Sequence, residues 1–167
     1  IIDYFNEKIS SRIIKKHGRA KVITATNVFA HIDNINIIVK SILKTLRSDG
    51  VFISESHYLL PLIQTVQYDT IYHEHLRYYS LESLNFLFKK HNLEIIDTKE
   101  IPTHGGSIRV YAARKGIYKI SKNVKNQFKK EKRYLNKKSF TKFRKNVVTS
   151  KVNLFNIIKR IKDKNKT

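Results

Sequence analysis

The segment Lys21–Glu55, KVITATNVFAHIDNINIIVKSILKTLRSDGVFISE, is where the fold is most legible. Lys21–Ala25 reads as a buried strand that gives out at Asn27. Ile35–Leu46 is an amphipathic helix, with Ile35, Ile38, Val39, Ile42, Leu43 and Leu46 on one face. Ser48-Asp49-Gly50 reads as a turn, and Val51–Ser54 as the next strand, running up to Glu55.

Toward the N-terminus, Ile1–Phe5 is a short apolar run that fits the end of a strand. Asn6–His17 sets Ile9, Ile13 and Ile14 at helical spacing, and Gly18 stops it. Toward the C-terminus, Tyr58–Val66 is a short helical or irregular piece around Pro61. Leu81–His91 is a helix with Leu84, Leu87 and Phe88 inward and Ser80 or Ser83 capping its start. Leu93–Thr98 and Ser107–Ala113 are strands joined by the linker Ile101–Gly106, the pattern of an antiparallel hairpin. Strand, helix, strand, helix and a closing hairpin make an α/β order. Such sheets bind ligands beyond the carboxyl ends of their strands. Asn27–His31, Glu55–Tyr58 and His104–Ser107 fall at such positions and are expected to converge on one cleft.

The length, 167 residues, suits one domain with a sizeable core. The absence of cysteine excludes disulfides and thiolate metal sites. No apolar run reaches the roughly 18 residues a membrane span needs, and the start does not read as a signal peptide. A cytoplasmic location is expected. The chain begins at Ile1 and has no methionine, so a piece of a longer protein is expected. The net charge of +21 is lopsided: residues 115–167 carry 19 Lys/Arg against Glu131 and Asp163. That tail reads as long, charged and helical. Its charge would suit nucleic acid or anionic lipid, but the preferred reading is a solvated helical surface.

Residues Tyr68–Leu81, YDTIYHEHLRYYSL, hold four tyrosines, two histidines and two carboxylates in fourteen positions. A domain buries that many polar side chains only when each finds a partner. Surface loops rarely carry so many aromatics, so the segment is expected to wall a cleft that does acid–base chemistry.

Asn27-Val28-Phe29-Ala30-His31, Asp49-Gly50-Val51-Phe52, Tyr72-His73-Glu74-His75 with Ser80-Leu81, and Thr103-His104-Gly105-Gly106-Ser107-Ile108-Arg109-Val110-Tyr111 together resemble the sugar C-methyltransferases. These enzymes use S-adenosylmethionine to methylate a carbon of a keto-deoxysugar carried on a nucleotide. The resemblance covers residues 1–115 well and the tail loosely. It implies a partial Rossmann-like class I methyltransferase sheet, about strands four to seven with the last antiparallel. Residues 1–115 would then be the C-terminal half of the methyltransferase domain, and 116–167 a basic helical segment opening a further domain. The family's glycine-rich loop, the acidic residue after its second strand and its N-terminal zinc module are absent, so the S-adenosylmethionine site is expected to be incomplete and the chain alone inactive.

Methylating a carbon beside a ketone requires a base for the α-proton and a donor for the enolate oxygen. The resemblance implies His75 as base, with Tyr72, Glu74 and His31 supporting it, and Asn27, Val28, Phe29 and Ala30 against the cofactor. It also implies Glu55, His73, Tyr79, His104, Gly105, Gly106, Ser107 and Arg109 on the substrate side. In a plain strand Tyr72 and Glu74 would face away from His73 and His75, so a shared site requires a bent segment.

Plainer roles stand beside these. His31 sits where a helix begins, Tyr79 and Tyr78 suit a core with wet hydroxyls, Gly105-Gly106 suits a turn, Glu55 could cap a turn, and Arg109 could pair with a nearby carboxylate. His57, His17 and His91 read as surface or structural. Two rival classes are a nucleic-acid-binding module built on the tail, and a metal hydrolase using His73, His75, His31 or His104. Spacing fixes no third ligand for the latter. No metal is expected here, and the expected partner is the nucleotide-linked sugar rather than nucleic acid or membrane.

Overall fold

A computed structural model describes residues 1–164. Ile1–Phe5 is irregular, not the end of a strand, and Ile2 and Tyr4 lie in solvent. The helix α1, Glu7–His17, begins at Asn6, whose side chain accepts from the Ile9 amide, and stops at Gly18 with φ 76°. Strand β1, Ala20–Thr26, leads to helix α2, Ile35–Thr45, and back through β2, Leu46–His57. A short helix α3, Leu59–Thr65, and the irregular stretch from Val66 precede α4, Leu81–Lys89, with Ser80 and Ser83 forming a reciprocal cap. Strands β3, Leu93–Ile101, and β4, Ser107–Arg114, form the hairpin; α5, Lys122–Tyr134, and α6, Lys137–Asp163, follow.

The four strands make one mixed sheet in the order β1-β2-β4-β3. β1 and β2 are parallel, and β4 runs antiparallel to both its neighbours. The expected turn at Ser48–Gly50 is instead an irregular start to β2: Ala20 pairs Leu46, while Val22 already pairs Val51. Gly50 is required there, because a Cβ would stand 2.7 Å from the Leu46 side chain.

Alternation divides the sheet. Phe52, Ile95, Ile108, Val110 and Ala112 face the helices and form the core with Phe29, Val39, Ile42, Leu84 and Phe88. β1 is not the buried strand that its composition suggests. It pairs only with β2, its Ile23 and Ala25 reach the core in part, and Val22 is 52% exposed on the opposite face.

The tail has two characters. α5 lies beside β3 and α4 with Val124 and Glu131 buried. Ser121 donates its amide to the Ile96 carbonyl at a bulge in β3. The Glu131 carboxylate accepts from the amides of Leu81 and Glu82 and from the Tyr58 hydroxyl, so it caps α4 from a distance of about fifty residues in sequence. Burial raises its pKa against the pull of these donors. α6 buries none of its residues and touches the body at α3. Residues 165–167 of the expected tail lie outside the described residues. Among the described residues no helix is long and apolar enough to cross a membrane.

Candidate active site

The loops beyond the carboxyl ends of β1 and β2, the 68–81 segment and the hairpin turn meet around a cavity of about 460 Å³. Asn27, Ala30, His31, Ser56, His57, Thr70, Tyr72, His75 and His104 line it.

Backbone strain and strapping shape this wall. Asn27 leaves β1 with φ 54°, and its amide donates to the Glu55 carbonyl. The 68–81 segment is bent, as a shared site demands: a 3-10 turn at Tyr68–Thr70 is followed by a turn in which His75 N–H reaches the Tyr72 carbonyl. It is strapped to the first loop by Leu76 N–H to Ala30 carbonyl and by the Arg77 guanidinium on the carbonyls of Ile32 and Asp33.

Carbonyl partners fix the imidazole tautomers, since a carbonyl only accepts. His75 Nδ1 donates to the Thr70 carbonyl at 2.9 Å, so in the neutral ring the lone pair is on Nε2, 3.3 Å from the Tyr72 hydroxyl. His31 Nδ1 donates to the Glu74 carbonyl at 3.0 Å, leaving its Nε2 free in the same way. The His31 and His57 rings lie 5.0 and 6.5 Å from that of His75, and Tyr72 lies 4.4 Å from it. The Tyr78 hydroxyl donates to the same Thr70 carbonyl, and burial raises its pKa.

Not every expected residue reaches this cavity. Of the base group, Glu74 is exposed and contributes its backbone carbonyl to His31. His73 is exposed with its ring edge-on to Tyr72. Tyr79 is a core aromatic, 5% exposed, whose hydroxyl donates to the Phe29 carbonyl; burial raises its pKa. Glu55 is buried and paired with Arg109 across β2 and β4, at 2.6 and 2.8 Å, so each answers the other. Ser107 Oγ donates to the Thr103 carbonyl. Gly105 and Gly106 hold the turn that carries His104, with φ of 74° and 118°. Of the four residues expected at the cofactor, Asn27 and Ala30 line the cavity, Phe29 is core and Val28 points to solvent.

Three lining residues were not singled out individually by the sequence: Ser56, His57 and Thr70. His57 read as surface or structural, although Glu55–Tyr58, which holds it and Ser56, was expected at the cleft, and Thr70 lies within the expected cleft wall Tyr68–Leu81. Ser56 Oγ is buried without a partner. Among the described residues no three His, Asp or Glu side chains are grouped as metal ligands would be.

Residues 3–98 match the family model of the methyltransferase domain. The chain belongs to that family. Residues 102–167 of the chain match the model of the C-methyltransferase C-terminal domain. A C-methyltransferase, NovU, of Streptomyces niveus is 39% identical over 109 residues, 65% of this chain and 26% of that protein. The chain thus spans about a quarter of the length of this curated relative. A crystal structure of an S-adenosylmethionine-dependent methyltransferase from Anabaena variabilis superposes with a TM-score of 0.50 at 13% identity. It covers 68% of this chain and 57% of that one, and it shows the fold. The residues present suit S-adenosylmethionine on one flank only: Asn27, Ala30 and the unpartnered Ser56 hydroxyl offer polar and backbone contacts there, while Glu55 and Glu74 are turned elsewhere.

Proposed function

We propose that the protein to which this chain belongs transfers a methyl group from S-adenosylmethionine to the carbon beside the carbonyl of a nucleotide-linked keto-deoxysugar, with His75 as the base. The observation that carries the reading is the His75 imidazole: Nδ1 anchored on the Thr70 carbonyl and Nε2 facing the Tyr72 hydroxyl in a cavity shared with His31 and His57. A proton lost from the sugar α-carbon passes to Nε2, and the Thr70 carbonyl steadies the imidazolium that results. The Tyr72 hydroxyl is placed to donate to the enolate oxygen once substrate separates it from His75, and His31 flanks the pair. S-adenosylmethionine, when bound, supplies the electrophilic methyl; Asn27 and Ala30 are the residues of this chain assigned to it. His104 and the bare amides of the Gly105–Gly106 turn are assigned to the sugar side. Residues 1–115 are read as methyltransferase body and 116–167 as the start of the following domain, with the zinc of the family's N-terminal module outside this chain. A nucleotide-linked substrate places the reaction in the cytoplasm.

The test uses the full-length gene product, methyl-labelled S-adenosylmethionine and a nucleotide-linked 4-keto sugar. His75→Asn is expected to lower turnover by about a hundredfold or more and to abolish exchange of the α-proton with heavy water. Near wild-type turnover in His75→Asn would refute the base assignment.

A further inference from the structure

Gln67 closes α3's exit loop without belonging to any motif, yet its side-chain amide joins the end of α3, the end of β2 and the hairpin turn that carries His104. Its Nε2 donates to the Gly105 carbonyl at 2.8 Å and to Thr65 Oγ1 at 2.5 Å. Its Oε1 lies 2.9 Å from His57 Nε2 and, with the amide nitrogen engaged as donor, must accept. In the neutral ring His57 therefore carries its proton on Nε2 and has its lone pair on Nδ1. The turn that Gln67 grips is costly at His104, with φ 53°; Gly105 and Gly106 beside it take positive φ without that cost. The fit is close, since a Cβ on Gly105 would stand 2.5 Å from Gln67 Oε1.

We propose that Gln67 is a positioning residue of the transfer site, clamping His57 and the His104 turn against each other so that His57 Nδ1 serves as a hydrogen-bond acceptor for substrate. The inference rests on the cavity being the reaction site, as proposed above. The two ends of the amide do different things, which makes the clamp separable. Gln67→Met keeps the length and loses both ends. Gln67→Glu keeps the acceptor for His57 and loses the donor to Gly105.

The experiment is nitrogen-15 NMR on the 167-residue chain, with His57 signals assigned by a His57→Phe variant. The wild type is expected to show a His57 Nε2 proton protected from exchange with water. That resonance should vanish in Gln67→Met and survive in Gln67→Glu, while the Gly105 and Gly106 amide signals move in both. Gly105→Ala approaches from the other side and should also lose the His57 proton. A His57 Nε2 proton that is unprotected in the wild type, or unchanged in Gln67→Met, overturns the clamp. In the full-length protein, turnover should fall about tenfold or more in Gln67→Met and recover in part in Gln67→Glu. Wild-type turnover in a Gln67→Met protein that has lost the His57 proton overturns the positioning role. Absence of methyl transfer by the wild type strikes the proposed function and leaves the NMR result to decide the clamp.

Discussion

Removing the Glu131 carboxylate should loosen the start of α4, and with it the segment that ends the cavity wall. Leu81 and Tyr58 are essentially inaccessible, at 0% and 1% exposure. In Glu131→Ala the Leu81 amide is left without a partner in a dry site, which costs about 1–3 kcal/mol. Loss of a negative group at a helix N-terminus adds about 0.3–1 kcal/mol. Tyr58 keeps one neighbour, since Gln127 Nε2 donates to its hydroxyl oxygen at 2.7 Å. Relief of a buried charge offsets part of the loss. The net is about 1–3 kcal/mol, or a fall of about 2–12 °C in melting temperature for a chain of this size. Glu131→Gln, which retains one acceptor oxygen, should lie between. Urea unfolding followed by far-ultraviolet circular dichroism measures this, with an unchanged slope showing that the native state alone is affected. A Glu131→Ala midpoint equivalent to less than about 0.5 kcal/mol, the range of an ordinary surface change, would show that the cap is not formed.

His91 is buried, its Nε2 lies 2.9 Å from Asn36 Oδ1, and burial with Lys40 and Lys90 nearby lowers its pKa. The unfolded chain then takes up the proton first, so stability should decline as pH falls from the ordinary histidine value of about 6.5 through the lower folded value; His91→Gln should flatten that slope in unfolding curves at pH 7, 6 and 5. Gly106→Ala should destabilise by about 1–3 kcal/mol and shift the His104 NMR signals, because φ is 118° and the new methyl would meet Pro61 Cγ at 2.6 Å; an unchanged melting temperature would contradict the turn geometry. A chain ended after Leu135 should melt within a few degrees of the full length, since α6 has no fully buried residue, whereas one ended after Ile120 loses Val124 and Glu131 and should not unfold cooperatively.

Much of the fold was readable because its signals are local. Ile35, Val39 and Ile42 recur at helical spacing, Ser80 and Ser83 announce the start of α4, and the short Ile101–Gly106 linker forces the hairpin. The misreadings share a cause in pairing. Val22 looks buried by composition, but exposure depends on whether a neighbour covers it. Ser48-Asp49-Gly50 has turn residues, yet β1 draws it into the start of β2. In the site, His75 and Tyr72 were legible as a motif, while Glu55, Arg109 and Tyr79 were not separable from them. The first two are polar residues that satisfy each other across strands, and Tyr79 finds its partner in a carbonyl fifty residues away.

The residue order alone settles which groups exist to do chemistry and in which loops they lie, because helix and strand periodicity and turn chemistry act within a few residues. Only the tertiary structure decides which of them share a cavity and in what state. A histidine's free nitrogen is set by the carbonyl or amide its other nitrogen meets, and those partners for His31 and His57, Glu74 and Gln67, come from other segments of the chain.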